Sequence, residues 1–182
     1  MCSSDLALSP VPRLWVLGGF LYAAAAQIAS ILVRQDHFEG LTALLLVLLV
    51  VWASDIGGYF AGRAIGGPKL WPRVSPKKTW AGSLGGFVAS LAVAAGFVLC
   101  GVGKPLPLAV LGAVLSVVSQ LGDLFESAVK RRFGVKDSSH LIPGHGGLMD
   151  RLDGFVAAVV AAWIFGFLRH GLHSAASGLM VW

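Results

Sequence analysis

Apolar residues come in long, nearly uninterrupted runs along this chain, and polar residues fall in short stretches between them. Five runs are long enough, or nearly so, to cross a hydrocarbon core of about 30 Å at about 1.5 Å per residue. They are Leu14–Val33, Leu41–Phe60, Ala81–Gly103, Pro105–Gly122 and Gly154–Leu168. Only Asp55 breaks the second run, the third is the cleanest, and the fifth is short enough to extend at either end. The pattern predicts an all-α polytopic membrane protein of about five transmembrane helices. No internal repeat, heptad or low-complexity linker divides it, so residues 7–182 read as one membrane-embedded unit. Residues 1–6, Met-Cys-Ser-Ser-Asp-Leu, look like a non-native leader; an ordinary disordered start fits them equally well. The first apolar run is too long for a signal peptide and lacks a cleavage site.

Composition agrees with the pattern. Of 182 residues, 56% are hydrophobic and 13% charged, and mean hydropathy is +0.78, which leaves too little polar surface for a soluble domain. The net charge of +5 does not point to nucleic acid, because the basic residues sit in short loops between apolar runs. Cys2 and Cys100 make no disulfide framework. The stretch Arg63–Trp80 carries five bases and no acid, and Asp123–Arg151 carries Lys130, Arg131, Arg132, Lys136 and Arg151. A five-helix count puts both on one side, which the positive-inside rule makes cytoplasmic. The expectation is an integral protein of a bacterial inner membrane, with a cytoplasmic N-terminus and an external C-terminus.

Charge beside hydrocarbon is costly, so ionisable residues at a membrane border are functional candidates. Asp55, inside the second run, needs a polar cavity or a partner; an ion pair with Arg63 or another loop base is the plainer alternative. Ser54, Gly58, Gly62 and Gly66 recur every four residues and form a small-residue ridge suited to close helix packing. Ser75-Pro76-Lys77-Lys78-Thr79-Trp80 precedes the third helix. Two lysines near a helix N-terminus favour an anion, and Thr79 suits the cap; a purely topogenic loop is the alternative.

Residues 123–153 are denser still. Asp123 ends the fourth run, while Asp150 and Asp153 stand three apart where the fifth helix begins and would share a face. Three such carboxylates suit Mg2+, which pairs one or two carboxylates with substrate phosphates and water. A second cation is left open. Lys130, Arg131 and Arg132 can neutralise phosphate, and Pro143-Gly144-His145-Gly146-Gly147 makes a turn that lets backbone N–H groups approach one. His145 is equally open to ligand, proton-carrier and loop-anchor roles. The bland alternative for the block is a solvated loop with Asp150 and Asp153 answering a helix dipole.

These strings resemble the signature of phosphatidate cytidylyltransferases, also called CDP-diacylglycerol synthases. The pattern Ser-x-x-Lys-Arg, Lys-Asp, Pro-Gly-His-Gly-Gly, Asp-Arg-x-Asp is matched by Ser127 to Arg131, Lys136-Asp137, Pro143 to Gly147 and Asp150 to Asp153. Ser54 to Arg63 and Ser75 to Gly82 are similar to two further family strings. The resemblance implies that CTP and phosphatidate give CDP-diacylglycerol and pyrophosphate with Mg2+. It implies catalytic roles for Asp123, Lys130, Arg131, Asp150 and Asp153, with the three acids at the metal. Asp55, Arg63, Ser75, Lys77, Lys78, Thr79, Ser127, Lys136, His145, Gly146, Gly147 and Arg151 would then contact substrate. Family members usually carry further N-terminal helices, so residues 7–182 are expected to be the catalytic half of such an enzyme. Expected partners are the two substrates and membrane lipid, with no nucleic acid; glycine-rich helix faces leave a homodimer open. The rival readings are a neighbouring class of lipid-directed transferase or kinase, such as a polyprenol kinase, and an ion-coupled transporter. One-sided clustering of charge disfavours the transporter, because a relay spreads across the bilayer.

Overall fold

The computed structural model describes residues 13–134 and 152–182. It places five long helices where the apolar runs lie: α1 (Arg13–Arg34), α2 (Gly40–Ala64), α3 (Trp80–Leu99), α4 (Pro105–Arg132) and α5 (Asp153–His170). All five are long and apolar enough to cross a membrane. Large side chains such as Phe20, Leu84, Val88 and Leu106 are exposed along them, as expected of surfaces that meet lipid. The chain is a membrane protein.

Two elements depart from the expectation. A hairpin of β1 (Lys69–Trp71) and β2 (Ser75–Thr79) joins α2 to α3, pairing Lys69 with Thr79 and Trp71 with Ser75. At the other end a 3-10 turn (Leu172–Ser174) leads into a short helix, α6 (Ala175–Met180). The fourth helix also runs ten residues past Gly122, so Asp123 lies within a helix and not at its end. Leu124, Glu126, Ala128, Lys130, Arg131 and Arg132 among those positions are good helix formers, Glu126 pairs with Lys130 one turn on at 3.4 Å, and three bases in the last turn answer the helix dipole. At 28 residues α4 is roughly 42 Å long, so its last turns overrun an apolar layer of about 30 Å.

The helices pack differently at their two ends. The dry core lies toward the end that holds α6, built from Val33 of α1, Leu46, Val47 and Val50 of α2, Leu108, Leu111 and Leu115 of α4, Val159 of α5 and Leu179 of α6. Asp36, in the turn between α1 and α2, fastens α6 to this end. Its Oδ2 accepts from the backbone N and the Oγ of Ser177, both at 2.7 Å, and its Oδ1 accepts from the N–H groups of Phe38 and Glu39. Burial alone would raise the Asp36 carboxyl pKa, but these four hydrogen bonds outweigh it and hold the value below the ordinary 3.8.

The opposite end of α2 meets α3 through small residues. A side chain at Gly86 would stand 2.5 Å from the Ser54 carbonyl oxygen, and one at Gly82 would stand 2.8 Å from that of Gly58. Ser54, Gly58 and Gly62 therefore do form the expected packing ridge. Gly66 does not continue it: α2 stops at Ala64, and Gly66 turns the chain at a φ of 67°, a left-handed conformation that glycine adopts without strain.

Candidate active site

Close approach of α2 and α3 leaves a cleft at the hairpin end, and α4 and α5 close it. The resulting pocket holds about 550 Å³, within the range of small-ligand sites. Asp55 from α2, Asp123 from α4 and Asp153 from α5 line it, with Arg63, Lys77, Lys78 and Thr79. Three helices thus bring one carboxylate each to a single cavity; the hairpin supplies Lys77 and Lys78, and α2 supplies Arg63.

Each side chain has a local reason for its place. Thr79 caps α3, its Oγ1 accepting from Gly82 N at 3.1 Å, and this fixes where Lys78 leaves the hairpin. Lys78 Nζ forms an ion pair with Asp123 Oδ2 across the pocket. Ser127, one turn along α4, donates to Asp123 Oδ1 at 3.5 Å. Asp153 opens α5, where an acid suits the helix dipole, and its Oδ1 accepts from Gly154 N at 2.7 Å. Tyr22 of α1 donates to the Asp153 backbone oxygen at 3.3 Å and ties the first helix to the same corner. Arg63 donates to the Tyr59 hydroxyl at 3.1 Å at the pocket wall.

Other candidates lie beside the pocket. Lys130 pairs with Glu126 on α4, and Arg131 donates to the Val74 carbonyl at 3.4 Å, bracing α4 against the hairpin. Ser75 begins β2 opposite Trp71. Lys136, His145, Gly146, Gly147, Asp150 and Arg151 lie outside the described residues, as does the leader at residues 1–6.

Sequence reading missed the pocket floor. Gln120 of α4 accepts a short hydrogen bond from Ser83 Oγ on α3. Its Nε2 lies 3.2 Å from the Ser83 carbonyl, 3.4 Å from Ser54 Oγ and 3.3 Å from Ser116 Oγ. One amide therefore knits α2, α3 and α4 directly beneath the acids. The signal was present, since Ser116, Ser119 and Gln120 are polar residues in an apolar run, but an uncharged run drew no attention.

Comparison with known proteins decides the family. Residues 9–168 match the profile of the Cytidylyltransferase family. The chain belongs to that family. Its relatives include the phosphatidate cytidylyltransferase of Brucella suis biovar 1 (strain 1330), 48% identical over 157 residues, covering 85% of this chain and 57% of that protein. The Bacillus subtilis (strain 168) protein of the same name is 43% identical over 146 residues, covering 76% of this chain and 54% of its own length. That of Haemophilus influenzae is 48% identical over 131 residues, covering 69% and 46%. The chain thus spans about half the length of these cytidylyltransferases. Asp55, Lys78, Asp123 and Asp153 all fall within the matched region, so the pocket is built from family sequence.

A pocket with three acids and three cations suits a polyanion accompanied by a hard cation. Among the described residues no three acids stand close enough to cage a metal unaided. Mg2+ needs no such cage, because it keeps waters and takes substrate phosphates beside one or two carboxylates. The donor set fits that ion.

Proposed function

We propose that this chain carries the catalytic region of an enzyme that transfers CMP from CTP to phosphatidate, releasing CDP-diacylglycerol and pyrophosphate. One observation carries the reading: carboxylates from α2, α4 and α5 share a pocket with Lys78 at one end of a membrane-spanning bundle. Family membership and the names of the relatives support it.

The reaction needs little proton chemistry. A phosphate oxygen of phosphatidate attacks the α-phosphorus of CTP, and the bond to the bridging oxygen breaks as pyrophosphate leaves. A phosphomonoester is largely ionised at neutral pH, since its second pKa is about 6. The barrier is repulsion between two polyanions and charge growing on the leaving group, so positioning and electrostatics supply the catalysis. In this reading Lys77, Lys78 and Arg63 take phosphate oxygens, and Asp123, paired with Lys78 in the structure, would be free to hold a cation once Lys78 engages phosphate. Asp123 and Asp153, joined by Asp150, would hold Mg2+, which supplies charge neutralisation at the phosphates. The Gln120 amide keeps α2, α3 and α4 in register while charge redistributes above it.

Placement follows the same logic. Arg63, Lys69, Arg73, Lys77 and Lys78 lie at the pocket end of the bundle, as do Lys130 and Arg131. Positive charge there supports a pocket on the cytoplasmic side of the bacterial inner membrane, where CTP is supplied. The test is turnover of labelled CTP with phosphatidate and Mg2+ in lipid vesicles. Labelled CDP-diacylglycerol with pyrophosphate is the expected product pair. Release of CDP with a phosphorylated lipid would assign the site to a kinase instead, and no lipid-dependent turnover would refute the reading.

A further inference from the structure

The hairpin joins the end of α2 to the start of α3, so in a spanning bundle it lies at the level of the lipid headgroups. Its two sides differ. Leu70 turns into the pocket, and alternation along the strand puts Lys69 and Trp71 on the opposite side. Lys69 and Arg73 are exposed, Trp71 is 53% exposed, and Trp80 at the first position of α3 is 54% exposed. Ile65, just past α2, is 74% exposed. No acid occurs anywhere between Asp55 and Asp123, so nothing within the hairpin neutralises these cations. Arg131 holds the hairpin against α4 through the Val74 carbonyl, which fixes the height of its outer side.

Exposed indole rings beside exposed lysine and arginine are what the membrane interface selects. Tryptophan sits at headgroup depth, and cations there face anionic lipid. We infer that the outer side of the hairpin, Lys69, Trp71 and Arg73 with Trp80, binds anionic phospholipid headgroups of the adjoining leaflet and enriches such lipid beside the pocket mouth. The inference rests on the membrane placement of the bundle and not on the reaction, so it survives if the chain proves to catalyse another transfer.

The test places the full chain in vesicles of phosphatidylcholine with a minority of phosphatidylglycerol, bromine being carried high on the acyl chains of one lipid or the other at matched mole fraction. Trp71 fluorescence is isolated as the difference between wild type and Trp71→Phe, and Trp80→Phe gives an independent second reporter. Brominated phosphatidylglycerol is expected to quench both rings more than brominated phosphatidylcholine. The preference should fall roughly five-fold per charge removed in Lys69→Gln and Arg73→Gln, and should shrink as added salt shortens the screening length. Equal quenching by the two lipids overturns the inference, as does a preference that survives the double substitution. Absence of quenching by either lipid also overturns it, and would leave the face to a soluble acidic partner. CTP turnover measured on the same samples reads the proposed reaction separately.

Discussion

Substituting Gly86 by alanine is a sharp perturbation of the pocket made without touching a charged group. In a helix interior alanine is ordinarily favoured over glycine by about 1 kcal/mol, so on propensity alone the change stabilises. Here the added methyl would stand 2.5 Å from the Ser54 carbonyl oxygen and 2.9 Å from its Oγ. The nearer atom is backbone and cannot swing aside, so α2 and α3 must separate by roughly 0.5–1 Å to restore van der Waals spacing. Overpacking of this kind costs about 1–3 kcal/mol. Ser54 precedes Asp55 and shares the Gln120 network, so the displacement reaches the acids directly. A misplacement near 1 Å costs on the order of 10²-fold in turnover, and a ten- to hundred-fold loss is expected. Gly96→Ala on the same helix is the control, because no atom lies within 4 Å of its added methyl. Thermal unfolding in detergent and vesicle turnover should both separate the two variants, with Gly86→Ala less stable than Gly96→Ala by about 1–3 kcal/mol. Equal stability and equal turnover would refute the account of how the helices hold the pocket.

Lys78→Ala should lower kcat/KM by about 10²-fold or more by removing a cation aimed at developing charge; turnover close to wild type would exclude Lys78 from the phosphate site. Lys104 precedes α4 at the end of the bundle away from the pocket and makes no side-chain capping hydrogen bond, so Lys104→Ala should change stability by no more than about 0.5 kcal/mol and leave turnover intact; a large loss of turnover would overturn the topology. Asp36 makes stability depend on acid. Its folded pKa lies below the unfolded 3.8, so its contribution is full above that value and disappears as pH falls through the folded pKa. Melting temperature should therefore drop more steeply below about pH 4 in wild type than in Asp36→Asn, and identical acid profiles would show that the Ser177 contacts contribute nothing.

What could be read in the sequence followed from how strongly each residue's physics acts locally. Long apolar runs between short polar stretches leave one outcome in lipid, so all five helices were legible, the shorter fourth and fifth included. Thr79 was legible because capping is set by the residues just after it, and the Ser54–Gly58–Gly62 ridge because its period is that of the helix. The last turns of α4 were not, since charge was equated with loop where the helix simply leaves the hydrocarbon. The hairpin escaped because its strands are only three and five residues, and Pro76 weakens any strand signal. Gln120 escaped for a different reason: its role depends on which serines of α2 and α3 it meets, a tertiary fact no local pattern carries. The same holds for Asp36 and Ser177, 141 positions apart.

Manganese bound in the presence of CTP, followed by its paramagnetic resonance, addresses the convergence of acids most directly, since Mn2+ accepts the oxygen donors that Mg2+ does. Wild type and Asp36→Asn, altered at the opposite end, should bind the ion when CTP is added. Asp123→Asn and Asp153→Asn should each lose it. CTP-dependent binding that persists unchanged in both pocket variants would contradict a shared metal site between α4 and α5.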